Sequence, residues 1–112
     1  MKNGIYHVNF RSGSQTFGEG LVVIKDNTVN GGDVGYLYSG IIEHSSNGVS
    51  SELLVRKWNP QVTSVFGPIN EFTLNLEGSF DANASTFSVN GTAQEIAGAT
   101  ITISGRWLSE AA

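Results

Sequence analysis

The residues best able to do chemistry in this chain are two histidines, His7 and His44, a glutamate held between glycines, Glu19, and the serines Ser12 and Ser14. A metal centre needs several imidazole or carboxylate donors at short, regular spacing, and neither histidine has such a companion. His7 reads as a strand residue with one face wet, and His44, beside Ser45 and Ser46, as a solvated turn residue. A serine nucleophile requires a neighbouring base and an oxyanion hole. No G-x-S-x-G occurs, and Ser12-Gly13-Ser14 is ordinary turn composition. The chain is therefore expected not to be an enzyme, and neither metal nor cofactor is expected.

Glu19, in Gly18-Glu19-Gly20, shares strand parity with Phe17, Leu21 and Val23. If those residues point inward, Glu19 is a buried acid that needs Arg56 or a ligand cation as partner. If they point outward, it is plain surface charge.

The elements that position these side chains follow a period of two, interrupted by Gly, Asn, Asp and Ser, as in up-and-down sheets and barrels. The stretch VNGGDVGYLYSG from Val29 to Gly40 shows the pattern best: a turn at Asn30-Gly31-Gly32-Asp33, an aromatic strand, then a glycine. Strands are predicted at 4–11, 16–25, 27–30, 35–44, 50–58, 71–80, 85–93 and 99–108. No helical stripe appears. Turns are expected at Ser12-Gly13-Ser14-Gln15, Asn47-Gly48 and Asp81-Ala82-Asn83-Ala84; Asn90-Gly91 reads as another turn or, leaving a better partner for the eighth strand, as a bulge, with the last reversal near Ala97-Gly98.

Phe72, Leu74, Leu76 and Phe80 alternate with Thr73, Asn75, Glu77 and Ser79, and Ile101, Ile103 and Trp107 with Thr100, Thr102 and Ser104. One face is buried and the other wet. The first hairpin differs. Ile5 opposes Tyr6, Val8 and Phe10 in parity, and Leu21 and Val23 oppose Val22 and Ile24, so both faces are partly apolar. That favours a dimer face on the outer wall, against outer residues that a loop covers or that are simply exposed.

Gly18, Gly20, Gly40, Gly78, Gly91 and Gly105 fall inside predicted strands. They either permit the bends that close a barrel or leave room for a ligand. The segment 59–70, with Pro60 and Pro68, is too long for a hairpin. It either plugs a barrel end with Val62, Val65 and Phe66 or acts as a lid.

With 112 residues, 39% hydrophobic and 14% charged, the chain suits one folded domain, 1–112. The formal charge of −4 repels phosphate backbones, and Arg56-Lys57 is the sole adjacent basic pair. Direct nucleic-acid binding is not expected. The absence of cysteine excludes disulfides and thiolate metal sites. No signal-like or membrane-length apolar run occurs, so a cytoplasmic location is expected, with no membrane contact.

Several of these features together resemble the GrlR family, named for a negative regulator of type III secretion genes. They are Gly4-Ile5-Tyr6, Gly18-Glu19-Gly20 before an aliphatic strand, Gly31-Gly32-Asp33 leading to Tyr38-Ser39-Gly40, and Arg56 with Asn59 before Ser64-Val65. The last third is similar in strand rhythm alone. The resemblance implies an all-β fold, a single small antiparallel eight-stranded calycin-like β-barrel. It further implies a homodimer that represses by sequestering a transcriptional activator. It places the partner contact in the loop after the Tyr-x-Gly strand, where a run of acidic residues is expected. Here that loop offers Glu43, His44, Ser45, Ser46 and Asn47, with Glu52 further on. The competing reading is a carrier or sensor for a small apolar ligand, its pocket among Glu19, Tyr36, Tyr38, Phe72, Leu74 and Trp107.

Overall fold

Phe72, Leu74 and Leu76 are buried while Asn75 and Glu77 between them are exposed, so the sixth strand places one face against a core and the other in water. All eight strands do the same. The structure, a computed structural model, describes residues 1–13, 15–46, 48–62 and 69–112, with the side chains of 15–17 outside that description. The strands are β1 (Gly4–Ser12), β2 (Gln15–Lys25), β3 (Thr28–Gly32), β4 (Tyr36–Ser45), β5 (Gly48–Lys57), β6 (Glu71–Asp81), β7 (Thr86–Ala93) and β8 (Thr100–Ser109). Each pairs antiparallel with the next, and β8 returns to β1 from Ile5↔Ser109 to Arg11↔Thr102, closing the barrel. Closure leaves no open edge for unwanted pairing.

Tyr6, Val8, Phe10, Val22, Ile24, Tyr38, Leu53, Leu74 and Ile103 are buried inside. Edge-on ring packing joins Phe10 to Tyr38 at 5.3 Å, and tilted packing joins Tyr6 to Phe87 at 5.6 Å. Glycines sit beside the bulky residues: Gly20 opposite Val8, Gly31 between Val22 and Tyr38, Gly91 between Leu76 and Ile101. Alternating large with small is how side chains fill a narrow barrel. A methyl group added at Gly91 would run into the carbonyl of Asn75, and one at Gly40 would lie 2.6 Å from the carbonyl oxygen of Glu52. These glycines serve close backbone approach. The residual void among Val8, Phe10, Tyr38 and Leu53 is about 60 Å³, against the several hundred that small-molecule pockets need.

Two local expectations differ. Asn30, Gly31 and Gly32 continue β3, and the reversal comes one step later, at Asp33. Gly31 and Gly32 are there because strands β2 and β4 pass too close for side chains. Asn90 and Gly91 keep regular register with both neighbours and form no bulge. Register shifts fall instead in β1, at Phe10/Arg11 towards β2 and at Ile5/Tyr6 towards β8. Asp26 (φ 50) and Asn27 (φ 66) make the tight β2–β3 turn, where short polar side chains tolerate left-handed backbone. At the expected turn 81–84, Asp81 Oδ1 accepts the backbone N–H of Asn83 and Ala84. The last reversal contains Gly98 at φ 78, as expected.

In the crossing 59–70, Val62 lies against Gly35, and Val62 and Ile69 pack on the core. Val65, Phe66 and Pro68 lie outside the described residues, as do Ser14 and Asn47.

Candidate functional site

Among the described residues, side-chain hydrogen bonds gather at the β3–β4 turn. Asp33 Oδ1 accepts the N–H groups of Gly35 and Tyr36, both at 2.8 Å, and Oδ2 accepts the Tyr38 hydroxyl. From the end of β5, Trp58 Nε1 donates to the Asp33 carbonyl at 3.0 Å, and Asn59 Nδ2 donates to the Val34 carbonyl at 2.9 Å. Burial pushes the Tyr38 hydroxyl pKa well above the usual tyrosine range, reinforced by the hydrogen bond to Asp33 and its charge. The residues of the Gly-Gly-Asp to Tyr-x-Gly spacing, together with Asn59, therefore lock one barrel end. The Asp33 carboxylate, the Tyr38 hydroxyl and the Asn59 amide thus find their partners within the unit, which positions strands.

His7 and Glu19 meet on the outer wall, Nε2 to Oε2 at 3.2 Å, with the Glu19 side chain 71% exposed. This settles its parity: Leu21, Val23 and Glu19 face outward, and Glu19 cannot line the interior. The other proposed pocket residues face inward. Tyr36, Tyr38, Phe72 and Leu74 are buried. The Tyr36 hydroxyl has no hydrogen-bond partner among the described residues. Trp107 sits at the opposite end, its Nε1 donating to the Asn3 carbonyl at 3.0 Å and Lys2 Nζ 3.6 Å above its ring.

The segment after the Tyr-x-Gly strand is a tight hairpin. Glu43, His44 and Ser45 belong to β4 and Ser46 to the turn. His44 Nε2 lies 3.3 Å from the Met1 amino nitrogen and 3.0 Å from Asn27 Oδ1, and the Ser45 hydroxyl donates to the Gly48 carbonyl at 3.5 Å. Glu43 and Glu52 point the other way, onto the outer wall of β4 and β5, where they line a groove of about 880 Å³. Glu77, Asn75 and Asn90 complete its rim from β6 and β7. Sequence reading recognised Glu77 and Asn75 as a wet face but had no signal that they join Glu43. That follows from the β5–β6 register, Ser50↔Glu77, set across the long crossing.

Beside the groove the outer wall turns apolar. Leu21 (50% exposed) and Leu37 flank Gly32 in register, Ile41 (64% exposed) borders the groove, and Ile5, Val23 and Leu54 are half-buried around them.

Among the described residues, no group of three or more histidine or carboxylate side chains is placed to hold a metal ion. The family described as "T3SS negative regulator, GrlR" matches residues 1–111. The chain belongs to the GrlR family. The match runs through β6, β7 and β8, beyond the first two-thirds that carried the resemblance in sequence. GrlR membership makes the chain a negative regulator of type III secretion, in a family of regulators and not a known enzyme family. No curated protein matches the chain. No helix among the described residues is long and apolar enough to cross a membrane.

Proposed function

We propose that this GrlR-family chain is a non-enzymatic, cytoplasmic regulator that represses by sequestering a transcriptional activator through protein contact. The observation that carries the reading is the filled interior. With about 60 Å³ of void inside, recognition is left to the outer surface. Glu43 and Glu52 stand there without ion-pair partners among the described residues. The formal charge of −4 disfavours DNA and favours a basic protein. The partner-binding set is Glu43 and Glu52, with His44, Ser45 and Ser46 at the adjoining hairpin, and Asn47, which lies outside the described residues. The apolar wall around Leu21, Leu37 and Ile41 suits a homodimer contact, as large exposed apolar patches mark interaction sites.

The test is a titration of the activator with the double variant Glu43→Lys/Glu52→Lys. Affinity falls by about tenfold or more, while thermal unfolding hardly moves because both side chains are exposed. Unchanged affinity would remove this surface from the partner contact. A ligand carrier would instead bind an apolar fluorophore with a fixed stoichiometry, for which the void is too small.

A further inference from the structure

We propose that Met1 is a stopper for one end of the barrel, latched by His44, and that protonation of His44 in mildly acidic solution releases it. The device belongs to the barrel end and is independent of what the outer wall binds.

Residues 1–3 run from Asn3, beside Asp26 of the β2–β3 turn, to Met1, beside His44 near the end of β4. Lys2 and Asn3 are firmly fastened. The Tyr6 hydroxyl donates to the Lys2 carbonyl at 2.6 Å, and Trp107 Nε1 donates to the Asn3 carbonyl at 3.0 Å. Asn3 Nδ2 donates to Asp26 Oδ1 at 3.4 Å, while Asn3 Oδ1 accepts the Asp26 N–H at 3.0 Å. None of these bonds involves an imidazole, the side chain that ordinarily changes charge between about pH 5 and 8.

Met1 is held differently. Its side chain packs on the core and lines the interior void of about 60 Å³ together with Ile24, Val29 and Ile42. Its nitrogen lies 3.3 Å from His44 Nε2, and the same ring nitrogen lies 3.0 Å from Asn27 Oδ1. Asn27 is fixed in the β2–β3 turn, where its carbonyl accepts the Ile42 N–H at 2.7 Å. The Met1 nitrogen donates and Asn27 Oδ1 accepts, so Nε2 serves one of them at a time. A bare Nε2 accepts from Met1 and latches it. An Nε2 that carries a proton donates to Asn27 and leaves Met1 without its acceptor. Imidazolium has an N–H on both nitrogens, so acid enforces the second state.

The charged groups around the ring do not offset that change. Asp26 is taken up by Asn3, Lys25 precedes it in the turn, and Lys2 Nζ sits over the Trp107 ring. Glu43 points onto the outer wall, and β5 opposes His44 with Val49. No carboxylate pairs with His44 among the described residues. Released, Met1 uncovers Ile24, Val29 and Ile42, inward residues next to the turns, while Lys2 and Asn3 stay in place.

Met1 is the sole methionine, so isotope labelling of its methyl group gives a single NMR signal from the full chain. Near neutral pH that methyl should show Overhauser contacts with the side chains that line the void. Lowering the pH to about 5.5 should weaken those contacts at least about twofold. The midpoint should coincide with the His44 ring titration followed in the same samples, while the strand amide signals hold. His44→Gln, neutral and able to accept throughout, should keep the contacts across the range, and His44→Lys, which only donates, should lack them across it. His7→Gln should behave like the parent. Contacts that persist through the His44 titration, or that weaken equally in His44→Gln, would overturn the proposal. Strand signals lost in step with the methyl contacts would overturn it too, because the barrel would then be unfolding rather than shedding a stopper. The samples hold no protein partner, so this outcome and that of activator capture are separate.

Discussion

The Tyr38 hydroxyl donates to one oxygen of Asp33 while the other oxygen of the same carboxylate accepts the N–H groups of Gly35 and Tyr36. A single side chain thus closes the β3–β4 turn and anchors a buried aromatic. Asp33→Ala strands two backbone donors and a buried hydroxyl, whereas Tyr38→Phe removes one donor from a carboxylate that keeps two. Urea unfolding should show Asp33→Ala losing about 3 kcal/mol and Tyr38→Phe about 1–2 kcal/mol. The reverse order would mean that the turn does not depend on the carboxylate.

Alkaline stability follows from the same contact. Burial raises the hydroxyl pKa of Tyr38 and of Tyr6 above the unfolded value of 10.0. A raised folded pKa gives stability that is whole below about pH 10 and is lost as pH climbs above it, because the unfolded chain releases those protons first. The unfolding midpoint should fall above pH 10, and tyrosinate absorbance should rise together with loss of fold. Tyrosinates that all appear near pH 10 in the folded barrel would contradict the burial.

Close backbone approach makes some glycines irreplaceable for a steric reason. Gly91→Ala drives a methyl group into the Asn75 carbonyl, whereas Gly13, at φ 64, has nothing within 4 Å. Gly91→Ala should cost at least about 3 kcal/mol and Gly13→Ala about 1 kcal/mol from backbone strain alone. Equal costs in a denaturant titration would refute the distinction.

The apolar wall predicts a self-association that charge disrupts. Leu21→Asp with Leu37→Asp, flanking Gly32, should convert a dimer to monomer in sedimentation equilibrium and leave the barrel folded. A parent chain that is already monomeric at high micromolar concentration would dismiss this face as an interface.

Alternation made much of the fold legible. Phe72, Leu74 and Leu76 against Thr73, Asn75 and Glu77 identify the buried face of β6 from sequence alone. Local turn and bulge chemistry points to a turn at Gly31-Gly32 and a bulge at Gly91, yet the reason for these glycines lies on neighbouring strands, in the Leu21, Tyr36 and Asn75 carbonyls. No local signal reports a neighbour's carbonyl. Glu19 stayed ambiguous because β2 is apolar in both parities, and burial of Val22 and Ile24 resolves it. Glu77 was missed as a candidate because its link to Glu43 passes through a register that the 59–70 crossing conceals.

Displacement of the type III secretion activator from operator DNA tests the central claim most directly. Adding the chain to the preformed activator–DNA complex should release free DNA in proportion to the chain added, with no shift of DNA by the chain alone. Glu43→Lys/Glu52→Lys should need about tenfold more protein for the same release. An activator–DNA complex that survives saturating chain, or DNA bound by the chain itself, would contradict the account.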